Sequence, residues 1–135
     1  MIELIFIEDN GHMAGRLRTV VDSAEDMRII AGYPDLKSAV SANPVSLPQM
    51  IILDLMLPDV QGTGAILAMQ KKYPDARIVM YTAYENETEI LDCMMAGAHG
   101  YILKDTPEDR LPGELSVIAQ GGSTLTPRVA EKLLG

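Results

Sequence analysis

The stretch Ile51-Ile52-Leu53-Asp54-Leu55-Met56-Leu57-Pro58-Asp59 decides the fold. An apolar run of strand length ends in a single carboxylate, Asp54, and Pro58 with Gly62 then turns the chain away from the strand. The pattern predicts a buried strand that presents Asp54 at its carboxyl end. Taken alone, an aspartate at a strand end is more often a turn or capping residue than a nucleophile, so its meaning depends on the residues that join it.

The composition indicates a single globular domain with an acidic surface. The chain has 135 residues, of which 47% are hydrophobic and 22% are charged, and its formal net charge is −8. This length fits one domain with a real core. The negative charge argues against nucleic acid or an anionic membrane surface as a direct partner, so any contact with DNA would need another domain.

Neither a membrane span nor a secretion signal is predicted. No apolar run approaches about eighteen residues, and no charged-then-apolar leader precedes a small-residue cleavage site. We therefore expect a cytoplasmic protein. Cys93 is the sole cysteine, which excludes an internal disulfide, and His12 and His99 are too isolated to predict a zinc site.

Strands and helices alternate along the sequence. The predicted strands are apolar runs, at Ile2–Ile7, Met27–Tyr33, Met50–Asp54, Arg77–Tyr81 and Tyr101–Leu103. Apolar residues at three- and four-residue spacing predict helices at Gly11–Glu25, Pro34–Val40, Gly62–Tyr73, Glu85–Ala96 and Pro107–Gln120. Pro112 and Gly113 weaken the middle of the last of these helices. A turn at Ser123–Pro127 then leads to a short helix at Arg128–Leu134.

This alternation is typical of an open parallel sheet with helices on both faces and right-handed crossovers. In such sheets ligands bind at the carboxyl ends of the strands. The polar residues predicted at that edge are Glu8, Asp9, Asp54, Thr82 and Lys104. Each has an ordinary structural explanation when taken alone. Together they combine three carboxylates, a hydroxyl and a lysine at the ends of four different strands.

The three carboxylates predict a metal site and a class of chemistry. Clustered carboxylates repel one another, and a bound divalent cation would relieve that repulsion. Ligands that are all oxygen favour Mg²⁺, or Mn²⁺, over Zn²⁺. A carboxylate nucleophile, a hard cation, a lysine and a hydroxyl are the groups expected for phosphoryl transfer, because its catalysis is mostly positioning and charge neutralisation.

On these residues the chain resembles a response-regulator receiver domain over residues 1–122. The matching residues are Glu8 and Asp9 for the family's acidic pair, Asp54 for its phosphoacceptor, Thr82 for its hydroxyl, Tyr101 for its switch aromatic and Lys104 for its lysine. The resemblance implies the flavodoxin-like receiver fold. In that fold five parallel strands follow the order 2-1-3-4-5, with helices on both faces.

The resemblance also implies the chemistry of the site. Asp54 would accept a phosphoryl group from a phosphohistidine on a sensor histidine kinase or phosphotransfer protein, with magnesium required. Asp9, Asp54 and the backbone carbonyl of Met56 would hold the metal directly, while Glu8 would act mostly through water. Met56 and Tyr84, each two residues beyond a site residue, would tune the lifetime of the phosphate. The protein would catalyse its own phosphorylation and dephosphorylation and act as a signalling switch rather than an enzyme.

A conformational switch is a further implication of the resemblance. Phosphate on Asp54 would draw in the Thr82 hydroxyl and pair with Lys104. Tyr101 would then turn inward and remodel the face made by the fourth helix, the fifth strand and the fifth helix. That face would control an output, and a homodimer on phosphorylation is one form that such control takes.

The last part of the sequence resembles one subfamily of receivers. The stretch Gly97–Asp105, together with Gly121-Gly122 and Pro127, is similar to the NarL/FixJ subfamily, whose receivers precede a LuxR-type helix-turn-helix. We therefore expect residues 123–135 to be a linker toward a C-terminal DNA-binding domain outside this chain, with transcription as the output. A stand-alone receiver that acts by protein–protein interaction is the alternative.

Three other classes of protein fit the sequence less well. A magnesium-dependent aspartyl phosphatase of the haloacid dehalogenase type would carry a second aspartate where this chain has Met56. A flavin-binding module of the same topology would need a phosphate-cradling loop after the first strand, where this chain has Glu8-Asp9-Asn10. A purely structural interaction domain would require the acidic cluster to be vestigial, although every site position is filled.

Overall fold

A parallel sheet forms the centre of the molecule. The computed structural model describes residues 1–83, 85–122 and 131 and the backbone of 124–125. Within these residues the strands are β1 (Ile2–Ile7), β2 (Met27–Tyr33), β3 (Met50–Leu53), β4 (Arg77–Thr82), β5 (Gly100–Leu103) and β6 (Thr124–Leu125). All neighbouring strands are parallel, in the order β2-β1-β3-β4-β5-β6. The predicted order 2-1-3-4-5 is confirmed.

The sixth strand is a departure from the prediction. The sequence predicts a turn at Ser123–Pro127, but two residues of that stretch pair with β5. Gly100 pairs with Thr124, and Tyr101 pairs with Leu125. A strand of two residues has no periodicity to detect, because its stability comes from the backbone groups of its neighbour. Apart from residue 131, which is helical, the predicted helix Arg128–Leu134 lies outside the described residues.

Helices connect the strands on both sides of the sheet. In the described ranges they are α1 (Gly11–Asp22), α2 (Leu36–Ser41), α3 (Gly64–Lys72), α4 (Glu87–Ala96) and α5 (Leu111–Ala119). Three of them begin at side-chain caps, where an oxygen of Asn10, Asp35 or Asn86 accepts a backbone N–H from the third residue beyond. Such caps fix helix starts because the first N–H groups have no partner within the helix. No helix in these ranges has the length and apolar character of a membrane span.

The last helix is shorter than its sequence pattern predicts. The pattern spans Pro107–Gln120, whereas α5 begins at Leu111 and ends at Ala119. Pro112 therefore lies in the first turn and not in the middle of the helix. Proline is tolerated there, because the N–H groups of a first turn have no acceptor within the helix.

The four central strands β1, β3, β4 and β5 are mostly buried on both faces, and every residue of β3 and β5 is buried. In the outer strand β2 only Met27 is buried. Successive side chains of a strand point to opposite faces, so each strand contributes to two core layers. The layer beneath α2, α3 and α4 includes Ile51, Leu53, Ile66, Met69, Ile90 and Cys93. The layer beneath α1 and α5 includes Leu17, Val20, Ile52, Val79, Leu115 and Ile118. Burial on both faces explains why the strands appear in the sequence as nearly unbroken apolar runs.

Strand register aligns the carboxyl ends of the central strands. Ile7, the last residue of β1, pairs with Leu53, the last residue of β3. The Asp54 N–H donates to Ile7 O at 3.1 Å, and the Lys104 N–H donates to Thr82 O at 2.8 Å. Backbone hydrogen bonds therefore fix the residues that follow β3 and β5 at one edge of the sheet.

His99 lies at the opposite edge of the sheet, immediately before β5. Its backbone N–H donates to Ile78 O at 2.7 Å, and its Nδ1 accepts the Ile78 N–H at 2.9 Å. Because Nδ1 accepts a hydrogen bond only when it carries no proton, this contact favours the neutral imidazole. Burial lowers the pKa of His99, and the charge of Arg77 lowers it further.

Acidification should therefore weaken the fold through His99. Its folded-state pKa lies below the ordinary value of about 6.5. Between those two pKa values the unfolded chain binds more protons, so the free energy of unfolding falls as the pH is lowered through that interval. We expect His99→Asn to flatten this dependence between about pH 7 and pH 5, because its side-chain oxygen can accept the same N–H without titrating.

Urea unfolding of the wild type and of His99→Asn across that range measures the effect. His12→Asn removes an exposed imidazole from α1 and serves as the matched control. Parallel stability curves for the wild type and His99→Asn would contradict the expected contribution of His99.

Candidate functional site

Three carboxylates meet at the carboxyl edge of the sheet. Glu8 and Asp9 follow β1, and Asp54 follows β3. One carboxylate oxygen from each lies within 4.8 Å of the other two. The fold thus brings Asp54 close to an acidic pair that is far from it in the sequence. Such a set of oxygen atoms could hold a divalent cation of the Mg²⁺ type.

Lys104, which follows β5, pairs with two of these acids. Its Nζ lies 2.5 Å from Glu8 Oε1 and 3.3 Å from Asp54 Oδ2. The side chains of Glu8 and Asp54 are only 2% and 8% exposed. Buried charges are costly unless they are paired, so the Lys104 ammonium compensates carboxylates that would otherwise oppose folding.

The pKa shifts reflect this arrangement. Burial raises the pKa of the Glu8 carboxyl group, and the Asp54 charge adds to that rise, whereas the contact with Lys104 lowers it; the net shift is upward. For Lys104, burial lowers the pKa, but the contacts with Glu8 and Asp54 outweigh burial and the net shift is again upward. Lys104 therefore remains a cation at neutral pH.

A tight turn orients the Asp54 carboxylate. Its Oδ1 accepts the Met56 N–H at 3.3 Å. Met56 in turn pairs with Gln61 in an isolated antiparallel bridge. Gly62 has a φ of 75°, a conformation that glycine adopts without steric cost. The turn predicted at Pro58 and Gly62 is therefore confirmed.

The two residues expected to act as the switch are both fully buried. Thr82 is the last residue of β4, and Tyr101 is the second residue of β5. Tyr101 lies in the same core layer as Ile90 and Cys93 of α4, and burial raises the pKa of its phenol. The ring is therefore inward in this structure. Tyr84 lies outside the described residues.

Comparison with known proteins identifies this arrangement. Residues 4–116 match the model of the response regulator receiver domain. The chain belongs to the response regulator receiver family. Its relatives include the transcriptional regulatory protein DegU of Brevibacillus brevis, 26% identical over 133 residues, and the nitrate/nitrite response regulator protein homolog of Haemophilus influenzae, 28% identical over 133 residues. Both alignments cover 98% of this chain, but the chain spans only 56% and 64% of the length of these relatives.

Solved structures agree with the family assignment. One similar structure is the isolated REC domain of RcsB from Salmonella enterica serovar Typhimurium, determined with the phosphomimetic BeF₃⁻. Its TM-score is 0.89 at 18% identity, and the alignment covers 98% of this chain and 98% of that chain. The response regulator ChrA of a heme-sensing two-component system has a TM-score of 0.78 at 28% identity, with 98% of this chain and 64% of that chain covered. The predicted receiver fold is confirmed by these structures. The family assignment identifies the domain as a signalling switch. The relatives are transcriptional regulators, as the subfamily resemblance implied.

Two side chains that support the receiver site were not predicted from the sequence. The Asp59 carboxylate accepts the N–H groups of Leu36 at 3.1 Å and Lys37 at 2.9 Å, which ties the turn after β3 to the start of α2. These hydrogen bonds, the one from Lys37 foremost, lower the pKa of Asp59. Arg16 of α1 donates to the loop between β5 and α5. Both contacts join distant segments and leave no signal in the local sequence.

A solvent-open cavity of about 470 Å³ lies beside the site. Its lining residues are Met13, Ala83, Glu85, Leu103, Lys104 and Asp105. Lys104 therefore belongs both to the cavity lining and to the side chains that surround Asp54.

Removal of the Lys104 charge should destabilise the receiver. Lys104→Met would leave the Glu8 and Asp54 carboxylates buried without their cation, and breaking one side of a buried pair costs about 3–5 kcal/mol in general. Because Lys104 keeps some exposure, we expect the free energy of unfolding to fall by about 2–4 kcal/mol in urea denaturation at neutral pH with EDTA present. A second substitution, Glu8→Gln, should restore part of that loss.

The matched control is Lys71→Met, at an exposed position near the end of α3. Exposed substitutions of this kind change stability by about 0.5 kcal/mol or less. Equal stabilities of Lys104→Met and Lys71→Met would show that the ion pairs contribute nothing to folding.

Proposed function

We propose that this receiver accepts a phosphoryl group on Asp54 and passes the change to a transcriptional output. The observation that carries the proposal is the contact of the Lys104 ammonium with Asp54 where three carboxylates cluster. A carboxylate nucleophile beside a fixed cation and an acidic metal-binding set is what phosphoryl transfer requires. The chain's membership of the receiver family supports the same conclusion.

In the proposed reaction, a carboxylate oxygen of Asp54 attacks the phosphorus of a phosphohistidine on a sensor histidine kinase or phosphotransfer protein. The O–P bond forms as the P–N bond breaks, and the departing imidazole nitrogen takes a proton from solvent. Lys104 stays protonated and pairs with the phosphoryl oxygens. Hydrolysis reverses the change when a water oxygen attacks the phosphorus, which frees Asp54 and releases inorganic phosphate.

The carboxylates suit a magnesium ion, with manganese as a substitute. Asp9, Asp54 and the backbone carbonyl of Met56 would hold the ion, and Glu8 would act mostly through water. All of these donors are oxygen atoms, which Mg²⁺ prefers. The ion would supply positive charge to the phosphoryl oxygens at the site.

The proposed switch uses Thr82 and Tyr101. The Thr82 hydroxyl would move toward the phosphoryl group, and the Tyr101 ring would occupy the inward position that it has in this structure. The change would reach the face formed by α4, β5 and α5. That face exposes Leu91 and Met95, which are 42% and 84% accessible and lie one helical turn apart on α4. Such a surface suits a partner or a homodimer formed on phosphorylation.

Two further roles complete the proposal. Met56 and Tyr84 would tune the phosphate lifetime, and Met56 already contacts Asp54 through its N–H. The kinase partner and the receiver would meet in the cytoplasm, where sensor kinases present their phosphohistidine. The cavity beside Lys104 supports access for the donor.

The central experiment is phosphorylation of the purified domain by acetyl phosphate with Mg²⁺, followed by intact mass. We expect the wild type to gain one phosphoryl group and Asp54→Asn to gain none, because the substitution removes the nucleophile. Asp9→Asn should slow the reaction by at least about tenfold, because it removes a metal ligand, and EDTA should abolish it.

Asp75→Asn is the matched control, since it removes an exposed carboxylate that lies outside the acidic cluster and the cavity. It should be phosphorylated at nearly the wild-type rate. If the wild type gains no phosphoryl group, or Asp54→Asn gains one equally well, Asp54 is not the acceptor.

The output proposal concerns residues beyond the receiver. We propose residues 1–122 as the receiver and residues 123–135 as a linker toward a C-terminal DNA-binding domain. The DNA-binding output is supported by relatives that include the DNA-binding transcriptional activator DevR/DosR of Mycobacterium tuberculosis. The linker would begin against the receiver, because Thr124 and Leu125 pair with β5. Solved relatives include RcsB in complex with DNA.

The parent gene tests the output proposal directly. We expect about 60–80 further codons with helix-turn-helix character after codon 135, within the usual size of a small domain. A stop codon directly after Gly135 would instead leave a stand-alone receiver that acts by protein–protein interaction.

A further inference from the structure

Arg16 joins α1 to the loop between β5 and α5, residues 104–110. Its Nη1 donates to Lys104 O at 2.5 Å, and its Nη2 donates to Thr106 O at 2.6 Å. Its Nε donates to Glu108 Oε1 at 3.1 Å, which forms an ion pair. All three guanidinium nitrogens therefore bind the same loop, and the Arg16 side chain is largely withdrawn from solvent.

The backbone of Lys104 is consequently held at both of its polar groups. Its N–H donates to Thr82 O at 2.8 Å, and its carbonyl accepts from Arg16. The Thr106 N–H donates to Leu103 O at 3.0 Å and closes the turn. A lysine side chain is long and flexible, so its ammonium occupies a given point more of the time when its backbone cannot move.

The contact depends on arginine. A planar guanidinium can donate to two carbonyls and a carboxylate at once, whereas a lysine ammonium is a point charge with no fixed fork. If the side chain served only to hold α1 near α5, it could donate to any carbonyl of the loop at residues 104–110. Arg16 bonds to Lys104 itself, whose ammonium meets Glu8 and Asp54.

We propose that Arg16 is a positioning residue for phosphoryl transfer. It fixes the backbone of Lys104 and thereby holds the ammonium where the phosphoryl group on Asp54 will be. The proposal rests on the proposed function of Asp54. Arg16 acts through Lys104, so it needs no contact of its own with the phosphoryl group.

The test is the rate constant for phosphorylation of the purified protein by acetyl phosphate at saturating Mg²⁺, followed by intact mass. Arg16→Gln should lower it about tenfold, and Arg16→Lys by about threefold, which is the scale of a mispositioned catalytic group. Arg18→Gln is the matched control on the same helix, because Arg18 is exposed and its guanidinium lies 5.0 Å from the centroid of the Phe6 ring. That control should stay within about twofold of the wild type.

A double-mutant cycle separates positioning from general stabilisation. In a Lys104→Met background the ammonium that Arg16 holds is gone, so Arg16→Gln should cause no further slowing. Equal slowing in both backgrounds would overturn the proposal, because it would show that Arg16 acts independently of Lys104. Should circular dichroism show that Arg16→Gln does not fold, Arg16→Lys takes its place in the cycle and the same two outcomes decide.

The proposal and the function on which it rests fail in different ways. A wild type that gains no phosphoryl group overturns both. A wild type that is phosphorylated on Asp54, with Arg16→Gln as fast as Arg18→Gln, overturns only the role of Arg16.

Discussion

The structure depends on the compensation of buried negative charge by Lys104. Glu8 and Asp54 are almost inaccessible, and both lie within 3.3 Å of the Lys104 ammonium. Without that cation the burial of either acid would lower the free energy of unfolding, because an unpaired buried carboxylate costs several kcal/mol. The upward pKa shift of Glu8 shows that the compensation is incomplete, since burial still disfavours its charge. Lys104 therefore offsets only part of the cost of burying the Glu8 carboxylate.

The parallel sheet creates this problem and also supplies its solution. Parallel strands end at the same edge, so the residues that follow β1, β3 and β5 converge whatever their separation in the sequence. Apolar packing on both faces fixes the strands, and the hydrogen bonds of Asp54 to Ile7 and of Lys104 to Thr82 fix where each loop departs. These apolar and backbone contacts set the geometry of the sheet, and Lys104 offsets the cost of burying the acids that the sheet brings together.

The strands and the charged residues at their ends could be predicted from the sequence, because both follow from local patterns. Apolar runs located the strands, and polar residues at their ends identified the four charged members of the cluster. Contacts between distant segments could not be predicted in this way. In the sequence Arg16 looks like any solvent-exposed charge on a helix, and Asp59 looks like any turn residue. Only the folded chain places Arg16 against Lys104 and Asp59 against the start of α2. The two residues of β6 likewise form a strand only because β5 is beside them.

Under the proposed function, the shared position of Lys104 explains how phosphorylation could release energy for a switch. In this structure its ammonium is closer to Glu8 than to Asp54, at 2.5 Å against 3.3 Å. A phosphoryl group on Asp54 replaces one negative charge by two and attracts the ammonium more strongly. Because the Lys104 backbone is held by Thr82 and Arg16, the response falls on its side chain and not on the loop. Glu8 then loses its direct partner, so the cost of its burial rises unless a metal ion or water takes the place of the ammonium.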